Sequence, residues 1–154
     1  MDSFEYMEDT SSWVSRSPES IACIHRGLNY RRFGICFDTA SVQDWFLEEH
    51  HIPHRTFFLI SEEDAATHGG NLPSHLFTVH KLQRGKWKWI EGSWEPYRGN
   101  DFSAASCNEM ARIVRDLMER REGRYYRLLE VEQLPGPGLS LPHYYGELLK
   151  NLWK

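Results

Sequence analysis

The stretch from His75 to Ser93 constrains the fold more tightly than any other part of the chain. His75 to Leu82 and Lys86 to Ser93 have the composition of two β-strands, and Gln83-Arg84-Gly85 between them is a short glycine-containing loop, which together predict a β-hairpin. A three-residue loop sets the register, with Phe77 opposite Glu91. Side chains alternate across a strand, so His75, Phe77 and Val79 share one face, and Trp87, Trp89 and Glu91 share a face on the partner strand. Glu91 then becomes the diagonal neighbour of His75, at about 7–8 Å, within reach of long side chains. A carboxylate on a mostly apolar face is costly without a hydrogen-bonded or charged partner, and the imidazole is such a partner. The structural alternative is a cross-strand polar contact at the end of a hairpin.

A second stretch gives that pair a chemical meaning. Gly34-Ile35-Cys36-Phe37-Asp38 leads into a helix-like run from Thr39 to Glu49, which places a thiol at or near a helix N-terminus. Unpaired backbone N–H groups and the positive end of the helix dipole favour a thiolate there, and the thiolate is the useful nucleophile. The same N–H groups can receive the charge that develops on a carbonyl oxygen under attack. An isolated cysteine at a helix start is more often a small buried apolar residue. The histidine and carboxylate downstream single out Cys36: an imidazole to take and return the thiol proton, and Glu91 to fix the tautomer.

The rest of the chain predicts an α+β domain. Ser17-Pro18-Glu19 opens a short helix with Ile21, Ile24 and Leu28 on one stripe. In the Cys36 helix, Val42, Trp45 and Phe46 are expected to face the core, with Gln43, Asp44 and Glu48 outward, and Pro53 ends the run. Arg55 to Ile60 predicts a buried strand, 61–73 a long acidic loop, and Ser106-Cys107-Asn108-Glu109 a capping box. Behind that box, Met110, Ile113, Val114, Leu117 and Met118 give a helix a clear apolar face. Tyr126 to Gln133 predicts a further strand. Tyr145, Leu148, Leu149 and Leu152 mark a C-terminal helix opened by Pro142. Residues 1–16 are expected to be mostly irregular, with Phe4, Tyr6, Met7 and Trp13 as scattered anchors able to pack across the domain.

With 154 residues and 40% hydrophobic content, a single domain over 1–154 is expected, its core over 17–133 and its C-terminal helix over 142–153. The formal charge of −4 gives no basic footprint for nucleic acid, and the arginines from Arg112 to Arg127 fit a solvated helix face. No apolar stretch approaches the roughly 20 residues that span a bilayer, and the acidic start lacks the features of a secretory signal, so a cytoplasmic protein is expected. Cys23, Cys36 and Cys107 are widely spaced and form no C-x-x-C pair, so reduced thiols are expected rather than disulfides or zinc. Cys107 also falls at a helix start, but it belongs to an apolar stripe and is assigned to the core. A metal site among His50, His51, His54, His68, His75 and His80 is disfavoured. Pro53 interrupts the helix on which His50 and His54 would align, and His80 lies on the strand face opposite His75. Neither metal nor cofactor is expected.

The run Gly34-Ile35-Cys36-Phe37-Asp38-Thr39-Ala40 opening a helix, Ser74-His75-Leu76-Phe77-Thr78-Val79 in one strand and Trp87-Lys88-Trp89-Ile90-Glu91 in the next resemble the transglutaminase-like superfamily of papain-like cysteine enzymes. The likeness covers roughly 30–93 and includes the 16-residue spacing from His75 to Glu91. It implies a papain-like, transglutaminase-core fold, with helices packed on a small antiparallel β-sheet. Cys36 is then the nucleophile, His75 the general base and acid, and Glu91 the orienting acid, where the family usually has Asp. Tyr30, six residues before the thiol, matches a position where related enzymes often supply a polar residue, which makes it an oxyanion candidate. Accessory domains and calcium sites of animal transglutaminases have no counterpart in the likeness. The implied activity is a cysteine hydrolase or acyltransferase acting on an amide bond of a peptide or protein through a thioester. The competing expectation is an inactive member of the fold that binds a partner through aromatics around Trp94 and Tyr97.

Overall fold

A computed structural model of the chain describes residues 4–6, 13–20, 32–34, 36–61, 74–91, 95–97 and 99–152. Strand β1 (Phe4–Tyr6) pairs in parallel with β2 (Arg32–Gly34). Helix α1 (Cys36–Glu49) follows, then β3 (His54–Ser61), β4 (Ser74–Lys81) and β5 (Trp87–Trp89). After a 3-10 turn at Glu95–Tyr97 come β6 (Ser103–Ala104), α2 (Cys107–Glu122), β7 (Tyr126–Val131) and α3 (Leu141–Lys150). Strands β3 to β7 form an antiparallel sheet in the order β6-β5-β4-β3-β7, so the protein is α+β.

The sheet carries a core on each face. Phe57, Leu59, Phe77, Val79 and Trp89 pack with Met110, Ala111, Val114 and Met118 of α2. The alternate residues Phe58, Ile60 and Leu76 pack with Cys36, Phe37 and Ala40 of α1, Tyr144 and Leu148 of α3, and Trp13. Helices on both sides explain why β3 is continuously buried from Thr56 to Ser61, with an unbroken apolar run over Phe57–Ile60: a strand covered on two faces has no solvent side. Where polar side chains meet inside the sheet they pair, as Thr56 and Thr78 do through their hydroxyls at 3.1 Å.

The hairpin has the expected register. Val79 faces Trp89 and Lys81 faces Trp87, and the loop closes with the Leu82 N–H donating to the Lys86 carbonyl at 2.7 Å. Gly85 takes a φ of 83°, a left-handed conformation that glycine adopts without steric cost. The second strand is shorter than predicted. It stops at Trp89, and the Ile90 carbonyl instead accepts a bond from the Gln43 side chain of α1 at 3.0 Å.

At α2 the predicted cap is present: Ser106 accepts from the Glu109 N–H at 3.1 Å, and Gly123 ends the helix at a φ of 66°. Ser17 likewise accepts from the Ser20 N–H at 3.2 Å, with residues 18–20 helical. Ile21, Cys23, Ile24, Leu28 and Tyr30 lie outside the described residues, as do 62–73 and Trp94.

Two predicted helix faces are corrected. In α1 the buried residues are Cys36, Phe37, Asp38, Ala40 and Leu47, while Phe46 is 49% exposed and stacks on His50. In α3 Tyr144 and Leu148 are the buried pair, and Leu149 is exposed. Tyr97 is half-buried against Trp89, with ring centroids 5.5 Å apart, so it belongs to the α2-side packing and is no free aromatic surface.

Candidate active site

The site is assembled from the start of α1, the start of β4 and the segment just after β5. Cys36 is the first residue of α1, and the Thr39 hydroxyl donates to its carbonyl at 3.0 Å, closing the first turn. His75 is the second residue of β4 and stacks along the strand on Phe77, with ring centroids 6.1 Å apart. Extending the Val79–Trp89 register by two residues brings Glu91 level with Phe77, diagonal to His75. The two side chains meet: His75 Nε2 donates to Glu91 Oε2 at 2.7 Å.

The thiol of Cys36 makes a side-chain hydrogen bond with His75, so the three residues singled out in the sequence stand in one contiguous chain of contacts. They lie where the two cores meet. Cys36 belongs to the α1 and α3 side, whereas His75 shares the strand face of Phe77 and Val79 on the α2 side. All three are buried, at 5% exposure for Cys36, 5% for His75 and 4% for Glu91.

Burial by itself would drive the imidazole toward its neutral form. The Glu91 carboxylate, with the hydrogen bonds to Cys36 and Glu91 and the charge of a Cys36 thiolate, more than offsets that. His75 is raised from its ordinary 6.5 to about 10. The imidazolium is therefore the resident form at neutral pH.

Behind the thiol, Asp38 is buried in the first turn of α1. Trp13 Nε1 donates to its Oδ2 at 3.0 Å, and Arg16 Nη2 stands 3.6 Å from its Oδ1. The Trp13 ring contacts Phe37 and Tyr144 edge-on at 5.9 and 5.4 Å, and Tyr144 stacks on Phe37 at 4.8 Å. Burial, followed by the charges of Cys36, Asp38 and Asp44, pushes the Tyr144 phenol well above its usual range, so it stays protonated. Sequence reasoning missed Asp38 and Tyr144. The only signal was an acidic residue in a helix first turn, which the helix dipole alone explains.

Cys107 opens α2 and is buried among the α2-side core residues. Burial raises its thiol to about 11, with Arg55 acting in the opposite direction. The His75 imidazole is engaged by Cys36 and Glu91. Among the described residues no three His, Cys, Asp or Glu side chains converge to hold a metal ion. His54 is occupied locally, with Nε2 2.9 Å from Asp44 and Nδ1 donating to the Ile52 carbonyl at 2.8 Å. Among the described residues no helix is long and apolar enough to cross a membrane.

Compared with known proteins, the chain matches no family model, no curated protein and no solved structure.

Proposed function

We propose that the chain is a transglutaminase-like, papain-fold cysteine enzyme that hydrolyses an amide bond of a peptide or protein, or transfers its acyl group to an amine. The observation that carries this reading is the uninterrupted contact chain from the Cys36 thiol to the His75 imidazole to the Glu91 carboxylate, with the sulfur on the first residue of a helix. Because Glu91 engages Nε2, Nδ1 is the nitrogen available to the sulfur. The thiolate attacks the carbonyl carbon, and backbone N–H groups at the start of α1 receive the charge on the oxygen. Collapse of the tetrahedral intermediate breaks the C–N bond, and the imidazolium gives its proton to the departing amine. The neutral imidazole then takes a proton from water or a second amine as that nucleophile attacks the thioester, and cleavage of the C–S bond releases the product and restores the thiolate beside the imidazolium. Glu91 holds the ring through both steps and stabilises its charged form. The free state of Cys36 and Cys107 suits a reducing compartment, and we place the protein in the cytoplasm.

The experiment is covalent trapping. Incubation with peptide amides bearing an electrophile, followed by mass spectrometry, should give an adduct on Cys36 that disappears in Cys36→Ala and weakens in His75→Ala. Equal, slow labelling of all cysteines would overturn the proposal. A second reading, a partner-binding member of the same fold without turnover, is favoured by the deep burial of all three side chains. Selective labelling of Cys36 rejects it.

A further inference from the structure

Asp38 and Cys36 are two residues apart in the first turn of α1. At 3.6 residues per turn their side chains leave the helix about 200° apart, close to opposite sides. Cys36 reaches the imidazole on one side. On the other, the Asp38 carboxylate, 2% exposed, accepts from the Trp13 indole at 3.0 Å and faces Arg16 at 3.6 Å. A carboxylate in a helix first turn needs no tertiary partner, because the exposed N–H groups and the dipole already favour it there. Burying it instead is costly unless partners compensate, and here they come from a segment remote in the chain.

That segment is itself held firmly. The Ser15 N–H donates to the Leu139 carbonyl at 2.7 Å, and its carbonyl accepts from the Gly138 N–H at 2.8 Å. Its hydroxyl donates to the Gly136 carbonyl and accepts from the Leu139 N–H, both at 2.8 Å. Trp13 adds edge-on contacts to Phe37 and to Tyr144 of α3. Residues 13–16 thus transmit the position of the 136–148 region to the back of the turn that carries the sulfur.

We propose that Asp38 is a positioning residue for Cys36, acting through Trp13 and Arg16 to set how the first turn of α1 presents its thiol to His75. The inference rests on the Cys36–His75 pair proposed above. The helix start is gripped from two sides, and releasing the rear grip lets it rotate or slide, which lengthens the sulfur-to-imidazole contact. Misplacement of about 1 Å in such a pair costs up to about a hundredfold in rate.

The test is the rate of iodoacetamide alkylation at pH 7, followed separately for Cys36 and Cys107 by mass spectrometry of the full chain. Asp38→Ala should slow Cys36 by about tenfold in the presence of His75 and by less than about twofold in a His75→Ala background, because coupling through a shared contact is non-additive. Asp38→Asn, which keeps an oxygen for the indole, should recover most of the rate. Trp13→Phe, which removes the N–H donor and retains an aromatic ring, should show a smaller loss with the same dependence on His75, and it serves if Asp38→Ala does not fold. Equal losses in both backgrounds, an unchanged or faster Cys36, or Cys107 rising in step with general loosening would each overturn the inference. If His75→Ala alone leaves Cys36 unaffected, the pair itself fails and takes the inference with it. If His75→Ala slows Cys36 while Asp38→Ala does not, only the positioning role is lost.

Discussion

Helices α1 and α2 each begin on a cysteine, and both sulfurs are buried, Cys36 at 5% and Cys107 at 6% exposure. Each has the positive end of a helix dipole beneath it. Their surroundings separate them. Cys107 sits among Met110, Ala111 and Trp89, and burial drives its thiol up to about 11 although Arg55 acts in the opposite direction. Cys36 meets an imidazole whose far nitrogen is tied to a carboxylate, and that imidazole carries a proton at neutral pH. A helix start is therefore common to an inert and a candidate reactive thiol. What distinguishes them is an imidazole, a group able to take and return a thiol proton at ordinary pH, delivered here by a hairpin register.

The largest expected effect tests this contrast outright. Cys36→Ala should remove covalent trapping by amide-derived electrophiles altogether, whereas Cys107→Ala should leave it within about twofold, because truncating a buried thiol costs packing rather than chemistry. Trapping that survives the first substitution and vanishes in the second would reverse the assignment. Next, His75→Ala should lower Cys36 reactivity at pH 7 by about a hundredfold, the lower end of what a positioned acid or base contributes, and leave Cys107 unchanged.

Glu91→Gln should be milder at neutral pH and most visible in the pH profile. In the proposed reaction the imidazolium protonates the leaving amine, so turnover by the native protein should persist until pH rises through about 10. Without the Glu91 charge, its largest upward cause, that alkaline limit should move to lower pH; an unmoved limit would show that Glu91 does not support the proton. Stability follows the same sign. His75 binds its proton more tightly folded than unfolded, so its contribution is fully present below about 6.5 and fades as pH rises through about 10. Urea midpoints for the native protein and His75→Ala should therefore converge at high pH. The smallest effect belongs to α2 alone: Ser106→Ala removes the cap bond to Glu109 and should cost about 1 kcal/mol of stability without altering Cys36 alkylation.

Much of the arrangement was legible in the sequence because its key step is local. A three-residue loop between alternating strands leaves little freedom in register, so the meeting of His75 and Glu91 follows from counting. The capped α2 helix was legible for the same reason, its signals lying within one turn. The buried side of α1 was not. Phe46 fits an apolar stripe but stacks on His50 outside, while the polar Asp38 is buried because Trp13, 25 positions away, supplies its donor. Periodicity records what a helix offers and not which neighbours arrive. Adjacent Tyr144 and Tyr145 posed a similar choice, decided by Phe37 stacking on the first and Trp13 meeting it edge-on. The end of β5 depended on Gln43 taking the Ile90 carbonyl, a contact between segments 47 residues apart.

The concealment of the sulfur and imidazole, each only 5% exposed, has a kinetic consequence. Any reagent larger than a few atoms has to wait for the surrounding shell to part, so encounter frequency is set by breathing of the protein rather than by diffusion through solvent. A graded series of haloacetamides with progressively wider tails would act as a calliper on that opening. The tail width at which labelling of Cys36 collapses would give the clearance open to any acyl donor of the proposed reaction.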